Sequence, residues 1–251
     1  MTTPLPYRYS WLDFNSPLSD ARADSIVARL ARASPATVLD LGCGWGELLL
    51  RVLAALPRAR GTGIEADADH LARARGNAAA RGLADRADFV QGRVADVARG
   101  PADLALCVGS SHVFGDAAPA EQTAVALHTL RELVPTGGRV LFGDGIWQRP
   151  PTPADLAAMW PGTTADEFTG LTGLVERAGA AGFRPLWIET AGLDEWERFE
   201  SGYLAAREEW LAAHRDHPEA DAVRAEVDAH RAVALGCRGL FGFAFLTLVA
   251  H

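Results

Sequence analysis

Lysine is missing from this 251-residue sequence, and all 24 of its Lys/Arg positions are arginine. This absence excludes Schiff-base chemistry, lysine-anchored pyridoxal phosphate and a phosphate-binding P-loop, since each of them needs a lysine amine. Cysteine is scarce, and the distant positions of Cys43, Cys107 and Cys237, without a C-x-x-C pair, predict reduced thiols. No apolar run is long enough to cross a bilayer, and the N-terminus lacks the pattern of a signal peptide. We therefore expect a cytoplasmic protein that does not bind membranes.

Positive charge is in short supply relative to negative charge. The chain has 32 Asp and Glu residues against its 24 arginines, which gives a formal net charge of -8. Nucleic acids and anionic lipid surfaces are bound by clustered cationic side chains that displace counterions. This charge balance therefore argues against nucleic acid as a partner. The length fits a single domain, 1–251, with one large core.

Short apolar runs alternate with longer amphipathic stretches, which is the pattern of βα units and a mostly parallel sheet. In an N-terminal helical segment, 1–34, Ser16 can cap free N–H groups and Pro17 suits the first helical position. The prolines of QRPPTP (148–153) predict a rigid loop, and a helix is expected near 166–181. Strands are predicted at 37–41, 61–65, 88–91, 103–108, 138–143, 184–190 and 239–250.

Three glycines at alternate positions separate the first strand from the next helix, in VLDLGCGWGELLL (38–50). Gly42, Gly44 and Gly46 allow a tight turn and let a ligand approach bare backbone, while free N–H groups of the following helix face that ligand. Glu65 ends the next strand, where a carboxylate can accept hydrogen bonds from both hydroxyls of a ribose. The spacing is G-x-G-x-G, whereas dinucleotide-binding domains have G-x-G-x-x-G. A bulky polar cofactor is implied.

These motifs resemble those of the class I S-adenosylmethionine-dependent methyltransferases, from about Val38 to Asp144. The glycine turn is similar to the first motif of that family, and Glu65 to its ribose-binding acid. PADLALCVGSSHVF (101–114) resembles the fourth strand with the loop beside the methyl group, and LRELVPTGGRVLFGD (130–144) the helix, turn and strand that follow. The resemblance implies S-adenosylmethionine as cofactor. It also implies an α/β fold with a Rossmann-like, seven-stranded, mostly parallel sheet, an antiparallel last strand and helices on both faces.

The resemblance further implies roles for individual residues around the cofactor. Asp40, Gly42 and Gly44 would contact its methionine part. Glu65 would bind the ribose, and Gly109 would lie along the chain near the sulfonium. The resemblance also implies that the cofactor lies across the carboxyl ends of the first strands.

The implied cofactor site also includes Ala66, Arg93 and Val94, of which Val94 would contact the adenine through its backbone. Many relatives have an acid where Arg93 stands, and that acid accepts a hydrogen bond from the adenine amino group. Arginine has no acceptor atom, so Asp96 is the alternative partner for the adenine.

Three residues are candidates for the chemistry and for the acceptor side of the site. His112 follows the fourth strand, where the methyl group would lie, and a neutral imidazole could take the proton from a hydroxyl or amine nucleophile. The alternative is a loop histidine that packs against the cofactor or a neighbouring helix. Asp144 and Trp147, at the end of the fifth strand, are expected to line the acceptor pocket.

The segment between the sixth and last strands, 192–238, is far longer than a usual connection and has the pattern of a helical insertion. Trp196, Phe199, Tyr203 and Trp210 lie close to one helical face within it. That face either packs on the core or covers the acceptor site as a lid, with Trp196 and Tyr203 binding substrate. A homodimer interface is the third interpretation.

No metal site is predicted. His214, His217 and His230 have no carboxylate or fourth ligand at a useful spacing, and we expect them to be solvated histidines at helix ends. Asp116 and Asp144 leave a Mg²⁺ site formally open, but no cluster of acids and amides stands out around them.

The sequence as a whole predicts S-adenosylmethionine-dependent methylation of a small-molecule acceptor, on oxygen or nitrogen. Methyltransferases that act on exocyclic amines of nucleic acids have an Asn/Asp-Pro-Pro-aromatic motif after the fourth strand, where this chain has GSSHVF (109–114). Two alternatives stay open. One is a relative that binds the cofactor and catalyses a rearrangement or cyclisation without methyl transfer, and the other is a catalytically silent binding subunit.

Overall fold

Seven strands form the sheet that carries the candidate site. In the computed structural model, which describes residues 5–97 and 100–251, they are β1 (Thr37–Leu41), β2 (Arg60–Glu65), β3 (Ala87–Gln91), β4 (Leu104–Val108), β5 (Arg139–Trp147), β6 (Phe183–Thr190) and β7 (Phe241–Ala250). The first four residues of the predicted N-terminal segment 1–34 lie outside the described ranges.

Helices connect these strands and flank the sheet. Within the described ranges they are α1 (Asp20–Ala31), α2 (Glu47–Ala55), α3 (Ala68–Ala80), α4 (Val94–Val97), α5 (Pro119–Leu133), α6 (Pro153–Ala157), α7 (Leu171–Ala180), α8 (Leu193–Ala213) and α9 (Ala220–Gly236). A 3₁₀ turn at Ser111–Phe114 follows β4 directly. In the described part of the chain, no helix combines the length and the apolarity that crossing a membrane would take.

The strand order across the sheet is β3-β2-β1-β4-β5-β7-β6. The first five strands pair in parallel, with β1 between β2 and β4. The last strand, β7, is antiparallel to both of its neighbours, β5 and β6. The predicted seven-stranded sheet with an antiparallel last strand is therefore confirmed, as is the helical insertion before that strand. The carboxyl ends of the parallel strands share one edge of the sheet, where ligands bind in open α/β folds.

The core consists of two layers because successive strand residues point to opposite faces of the sheet. Leu104 and Leu106 of β4 pack in the layer that contains α1, α2 and α3. Ala105 and Cys107 of the same strand pack in the layer that contains α5 and α7. This double burial makes the central strands nearly continuous apolar runs, as expected for a parallel sheet covered on both faces.

Several elements differ from the sequence-based expectation. Helix α1 begins at Asp20, and its cap is Ser19, whose hydroxyl accepts the Arg22 N–H at 3.3 Å, so Ser16 is not the cap. The proline-rich stretch after β5 contains the short helix α6, which Thr152 caps with Asp155 in a reciprocal capping box. Strand β5 extends to Trp147 because its antiparallel pairing with β7 continues to that position.

The insertion leaves and re-enters the sheet at neighbouring positions. Thr190, the last residue of β6, lies opposite Ala244 of β7, and the Ala191 N–H donates to the Phe243 carbonyl at 2.8 Å. Helices α8 and α9 form a small apolar cluster of their own, in which Trp210 is buried. Trp210 therefore packs between the two insertion helices.

Candidate functional site

The glycine turn after β1 is held against β2 by backbone hydrogen bonds. The N–H groups of Gly42 and Cys43 both donate to the Ile64 carbonyl, at 2.9 and 3.0 Å. The Gly46 N–H donates to the Cys43 carbonyl at 2.9 Å, and α2 begins at the next residue. The turn thus places the N-terminus of α2 and a stretch of open backbone at the carboxyl edge of the sheet, a favourable place for a polar ligand.

The three glycines of this turn serve different purposes. A Cβ on Gly42 would lie 2.5 Å from the Ser110 Cβ, and one on Gly46 would lie 2.8 Å from the Phe89 ring. These two glycines make room for protein neighbours. A Cβ on Gly44 would meet nothing within 4 Å, and Gly44 has a positive φ of 52°. Gly44 is therefore the position at which bare backbone faces open space that a ligand could fill.

Two carboxylates flank the turn. Glu65 accepts the Gly44 N–H at 3.0 Å on Oε2, and the N–H groups of Ala66 and Asp67 at 2.9 and 3.1 Å on Oε1. Asp40 is only 5% exposed. Burial and the nearby Glu65 carboxylate raise the pKa of Asp40 to about 7, against the effect of a backbone hydrogen bond from Leu49.

A cavity of about 340 Å³, which we call the turn cavity, lies over this arrangement. Its walls include five residues of the predicted cofactor site: Asp40, Gly42, Gly44, Glu65 and Gly109. Asp67 and His70 from the start of α3 also line it. The buried Nδ1 of His70 has no hydrogen-bond partner in the structure. The structure therefore brings together the residues expected around the methionine and ribose parts of the cofactor.

The other three residues of the predicted cofactor site do not line the turn cavity. The Ala66 N–H is bonded to Glu65, and Arg93 forms an exposed ion pair with Asp116 at 3.0 Å. Val94 is only 2% exposed and packs in the core at the start of α4. The contacts of Ala66, Arg93 and Val94 are thus a backbone hydrogen bond, an ion pair and core packing, respectively.

The N-terminal segment before α1 supplies a wall that the sequence did not predict. Asp13, Phe14, Asn15, Ser16 and Leu18 all line the turn cavity. The segment is fixed in place by the Trp45 indole, which donates to the Asp13 carbonyl at 2.6 Å. The Arg73 guanidinium of α3 donates to the Tyr9 and Leu12 carbonyls at 3.0 and 2.8 Å.

A second cavity, of about 420 Å³, adjoins the turn cavity, and we call it the aromatic cavity. Its wall carries seven aromatic rings: Trp160, Phe168, Trp196, Phe199, Tyr203, Phe241 and Phe243. Asn15, Ser16, Gly109 and His112 line both cavities. His112 therefore lies at the boundary between them, on the 3₁₀ turn after β4.

Asp144 lines the aromatic cavity and is fully engaged in hydrogen bonds. It accepts the Ser111 hydroxyl at 3.1 Å, the Thr123 hydroxyl at 2.8 Å and the Gly145 N–H at 2.9 Å. Burial raises the pKa of Asp144, while these donors and the nearby His112 act in the opposite direction. Through the bond from Ser111, Asp144 holds the turn that carries His112.

Trp147 does not line the aromatic cavity, contrary to the prediction. Its indole donates to the Ala165 carbonyl at 2.9 Å, and its ring packs edge-on against Phe168 and Phe241. Trp147 supports the rings of the cavity wall from behind.

His230 was expected to be a solvated histidine at a helix end, and this is wrong. It lies within α9 and lines the aromatic cavity. Its Nε2 is 2.7 Å from the Glu200 carboxylate, and its ring stacks on Tyr203 with centroids 4.6 Å apart. A helix pair had to be folded to bring these residues together, so no local spacing could have indicated the contact.

A third cavity, of about 840 Å³, lies between α8 and α9. Trp196, Glu200 and Phe241 separate it from the aromatic cavity, since they line both. Neither His112 nor any residue of the glycine turn lines this third cavity. Within residues 5–97 and 100–251, no group of three or more His, Cys, Asp or Glu side chains is arranged to hold a metal ion.

Comparison with known proteins adds family information to this geometry. The profile of a family described as methyltransferase domain matches residues 38–138, which run from β1 to the turn before β5. The uncharacterised protein YjhP of Escherichia coli K12 is 30% identical over 228 residues, which cover 90% of this chain and 89% of YjhP. The X-ray structure of YjhP matches with a TM-score of 0.81, at 26% identity over 95% of both chains.

Two solved structures with a bound ligand match closely. A S-adenosylmethionine-dependent methyltransferase from Geobacter sulfurreducens, in complex with S-adenosyl-L-homocysteine, gives a TM-score of 0.84 at 26% identity, over 97% of this chain and 96% of its own. A methyltransferase from Thiobacillus denitrificans in complex with the same ligand gives 0.83 at 26% identity, again over 97% and 96%. At this coverage the likeness includes the α8–α9 insertion as well as the sheet.

Proposed function

Because this chain belongs to the class I S-adenosylmethionine-dependent methyltransferases, we propose that it methylates a small organic acceptor on oxygen or nitrogen. The observation that carries the proposal is the junction of two cavities at His112 and Gly109. One cavity has the carboxylates and open backbone that suit the cofactor, and the other has the apolar wall that suits an organic acceptor.

The turn cavity fits S-adenosylmethionine in its donors, acceptors and charge. The open backbone at Gly44 leaves room for the methionine part, and the acid pair Asp40 and Glu65 suits a molecule that carries an ammonium, a sulfonium and a ribose diol. We assign Asp40, Gly42 and Gly44 to the methionine part, Glu65 to the ribose and Gly109 to the region of the sulfonium. The cofactor supplies an activated methyl group when bound. The chain's own task is to align the acceptor, exclude water and remove a proton.

His112 is proposed as the group that takes the acceptor's proton. It is exposed to both cavities, while the neighbouring carboxylate of Asp144 accepts three hydrogen bonds from the protein and serves to position the turn. We predict that His112→Ala lowers kcat by about 100-fold or more, the usual contribution of a general base, with cofactor affinity nearly unchanged. Steady-state kinetics with the best acceptor and calorimetry with S-adenosylhomocysteine measure the two quantities separately.

His112→Gln is the matched variant for this prediction. Glutamine keeps hydrogen-bonding reach but cannot take a proton. If His112→Gln retains most of the rate, the residue only orients the acceptor. Loss of cofactor affinity in both variants would instead assign His112 to the wall of the turn cavity.

Helices α8 and α9 are proposed as the cover of the acceptor. Trp196, Phe199 and Tyr203 of α8 lie in the wall of the aromatic cavity, and Asp144 faces them from β5. Helix α8 thus supplies three of the seven aromatic rings against which an organic molecule would pack there.

A methyl-transfer assay against a panel of amines, alcohols, phenols and thiols tests the function. The proposal predicts one S-adenosylhomocysteine released for each methylated product. Conversion of an acceptor without release of S-adenosylhomocysteine would instead show that the protein catalyses a rearrangement or cyclisation. Cofactor binding with neither product would favour a silent binding subunit.

A further inference from the structure

We propose that the acceptor is an amine, which enters the aromatic cavity as a cation. This inference deepens the proposed function and rests on it. Three features of the cavity wall carry it: seven aromatic rings, three carboxylates and the lack of any arginine among the described residues that line it. Each feature favours a positively charged group over a neutral or negative one.

The charge of the wall is the first argument. Asp144, Glu167 and Glu200 line the aromatic cavity, and no guanidinium does so, although the chain has 24 arginines. Carboxylate and phosphate groups are bound in proteins chiefly by arginine forks or lysines. An acidic acceptor would therefore find no guanidinium and would lie near like charges in this wall, whereas an ammonium group would find carboxylates as counter-ions.

One arginine that contacts a ring of this wall is already paired. Arg8 bonds to the Tyr203 hydroxyl and to the Glu226 carboxylate, and its guanidinium lies 4.9 Å from the centre of the Tyr203 ring. Arg8 itself does not line the cavity. Arg8 shares the Glu226 carboxylate with Arg207, and neither guanidinium lines the cavity.

The aromatic rings are the second argument. Phe241 lies at their centre, with ring centroids 4.8 Å from Phe168, 5.7 Å from Trp160 and 5.7 Å from Trp196. Rings set at angles to one another around a space present faces from several directions. A cation within about 6 Å of such faces is attracted by their quadrupoles, and the attraction is stronger when the cation is desolvated.

Glu200 is the carboxylate best placed to act as a counter-ion. Its Oε2 is 2.7 Å from His230 Nε2, which leaves Oε1 as an acceptor for an ammonium N–H. His230 is itself held by stacking on Tyr203, so the carboxylate is fixed from one side. Its side chain is 20% exposed, which fits a group that faces a cavity rather than the bulk solvent.

Methyl transfer to an amine conserves atoms and charge. An acceptor R–NH₃⁺ gives one proton to His112, which frees the nitrogen lone pair. That pair forms the new N–CH₃ bond while the C–S bond of the cofactor breaks and its electrons stay on sulfur. The products are the methylated ammonium, R–NH₂⁺–CH₃, and S-adenosylhomocysteine, whose sulfur is a neutral thioether. His112 then passes its proton to water.

The test uses a charged ligand and its neutral carbon isostere. (3-Hydroxyphenyl)trimethylammonium and 3-tert-butylphenol have the same shape and differ in charge, and binding of each to the S-adenosylhomocysteine-loaded protein is measured by calorimetry or NMR titration. We expect the ammonium ligand to bind at least 10-fold more tightly. Glu200→Gln and Glu167→Gln should each reduce this ratio several-fold, while Glu209→Gln, on α8 but not in the cavity wall, should leave it unchanged.

Each outcome of the titration either supports or overturns the amine proposal. Equal affinity for the two ligands, tighter binding of the phenol, or no binding of either overturns the amine proposal. So does a ratio that Glu200→Gln and Glu167→Gln leave unchanged. Because no turnover is needed, these outcomes are independent of the methyl-transfer assay. Release of S-adenosylhomocysteine with alcohols or phenols and not with amines would overturn the amine proposal and leave the methyltransferase function intact.

Discussion

At the scale of single residues, the buried Asp40 carboxyl makes stability depend on pH. Its pKa in the folded chain is about 7, above the ordinary value of 3.8, so folding takes up a proton between these values. The free energy of unfolding of the wild type therefore falls as pH rises from about 4 to 7. We predict that Asp40→Asn becomes more stable relative to wild type by about 2 kcal/mol between pH 5 and pH 7.

Urea unfolding of both proteins across this pH range measures the difference. Asp85→Asn, a change at an exposed acid, serves as the control and should track the wild type at every pH. Parallel pH profiles for Asp40→Asn and wild type would mean that Asp40 is ionised in the folded protein throughout this range.

The Glu65 carboxylate gives a prediction about cofactor affinity. Glu65→Gln keeps the length of the side chain and one acceptor oxygen but removes the charge. We predict 10- to 100-fold weaker binding of S-adenosylmethionine, about 1.4–2.8 kcal/mol, the range of a charge-assisted hydrogen bond. Calorimetric titration measures it, with exposed Glu121→Gln as the control. Wild-type affinity in a folded Glu65→Gln variant would remove Glu65 from the cofactor site.

Some residues of the two cavities could be found from the sequence and others could not. Gly44 and Glu65 stand in a short motif or at a strand end, so their positions follow from local geometry. Asn15 and His230 reach the cavities only through tertiary packing of distant segments. Trp147 is kept out of the cavity wall by distant segments as well, because its indole donates to the Ala165 carbonyl and its ring packs on Phe168 and Phe241.

At the scale of elements, α8 is attached to α1 by a buried carboxylate. Glu195 is 5% exposed and accepts bonds from the Ser19 hydroxyl at 2.7 Å and from Arg22 Nη2 at 2.7 Å, and the Gly192 N–H donates to it at 2.9 Å. Burial acts to raise the pKa of Glu195, but these donors outweigh it and hold the pKa at about 2. The stabilisation is present above the ordinary pKa of 4.5 and is lost as pH falls through about 2.

We predict that Glu195→Gln lowers the free energy of unfolding at pH 7 by about 3 kcal/mol, because partly buried Arg22 loses its closer carboxylate, at 2.7 Å, and keeps only Glu189, at 3.2 Å. The difference should shrink below pH 4.5. Chemical denaturation at pH 7 and at pH 3 measures both effects. The surface pair of Glu197 with Arg238 is the control, and Glu197→Gln should change stability by less than about 1 kcal/mol. An equal loss in the two variants would contradict the anchoring role of Glu195.

The strands were predictable as elements because buried parallel strands are short apolar runs between glycine and proline signals. The start of α1 was less predictable, because Ser16 and Ser19 are both suitable caps. The hydrogen bond from Ser19 to Glu195, a residue distant in the sequence, favours Ser19. Helix α7 begins at Leu171 rather than near 166, after Gly170 bridges to Trp147 of β5. Tertiary pairing thus set the boundaries that local propensity left undecided.

At the scale of the whole molecule, the N-terminal segment and the sheet edge close around the turn cavity from opposite sides. A ligand bound in the turn cavity should therefore contact both the N-terminal segment and the sheet edge. We predict that S-adenosylhomocysteine at about 100 times its Kd raises the free energy of unfolding by about 2.7 kcal/mol and slows amide exchange at residues 13–18. Hydrogen exchange with mass spectrometry measures this. Unchanged exchange at 13–18, with protection at the glycine turn, would show that the segment does not cover the bound ligand.

The way in which the insertion joins the sheet has an evolutionary consequence. Its two ends meet on adjacent strands, at Thr190 and Phe241, so the polypeptide between them can be lengthened, shortened or replaced without re-threading the sheet. The walls of the turn cavity come from Asp13 to Val113, ahead of this segment in the chain. Recombination of one contiguous stretch of the gene could therefore give descendants of this scaffold a new acceptor preference, while the inherited donor site passes through unaltered.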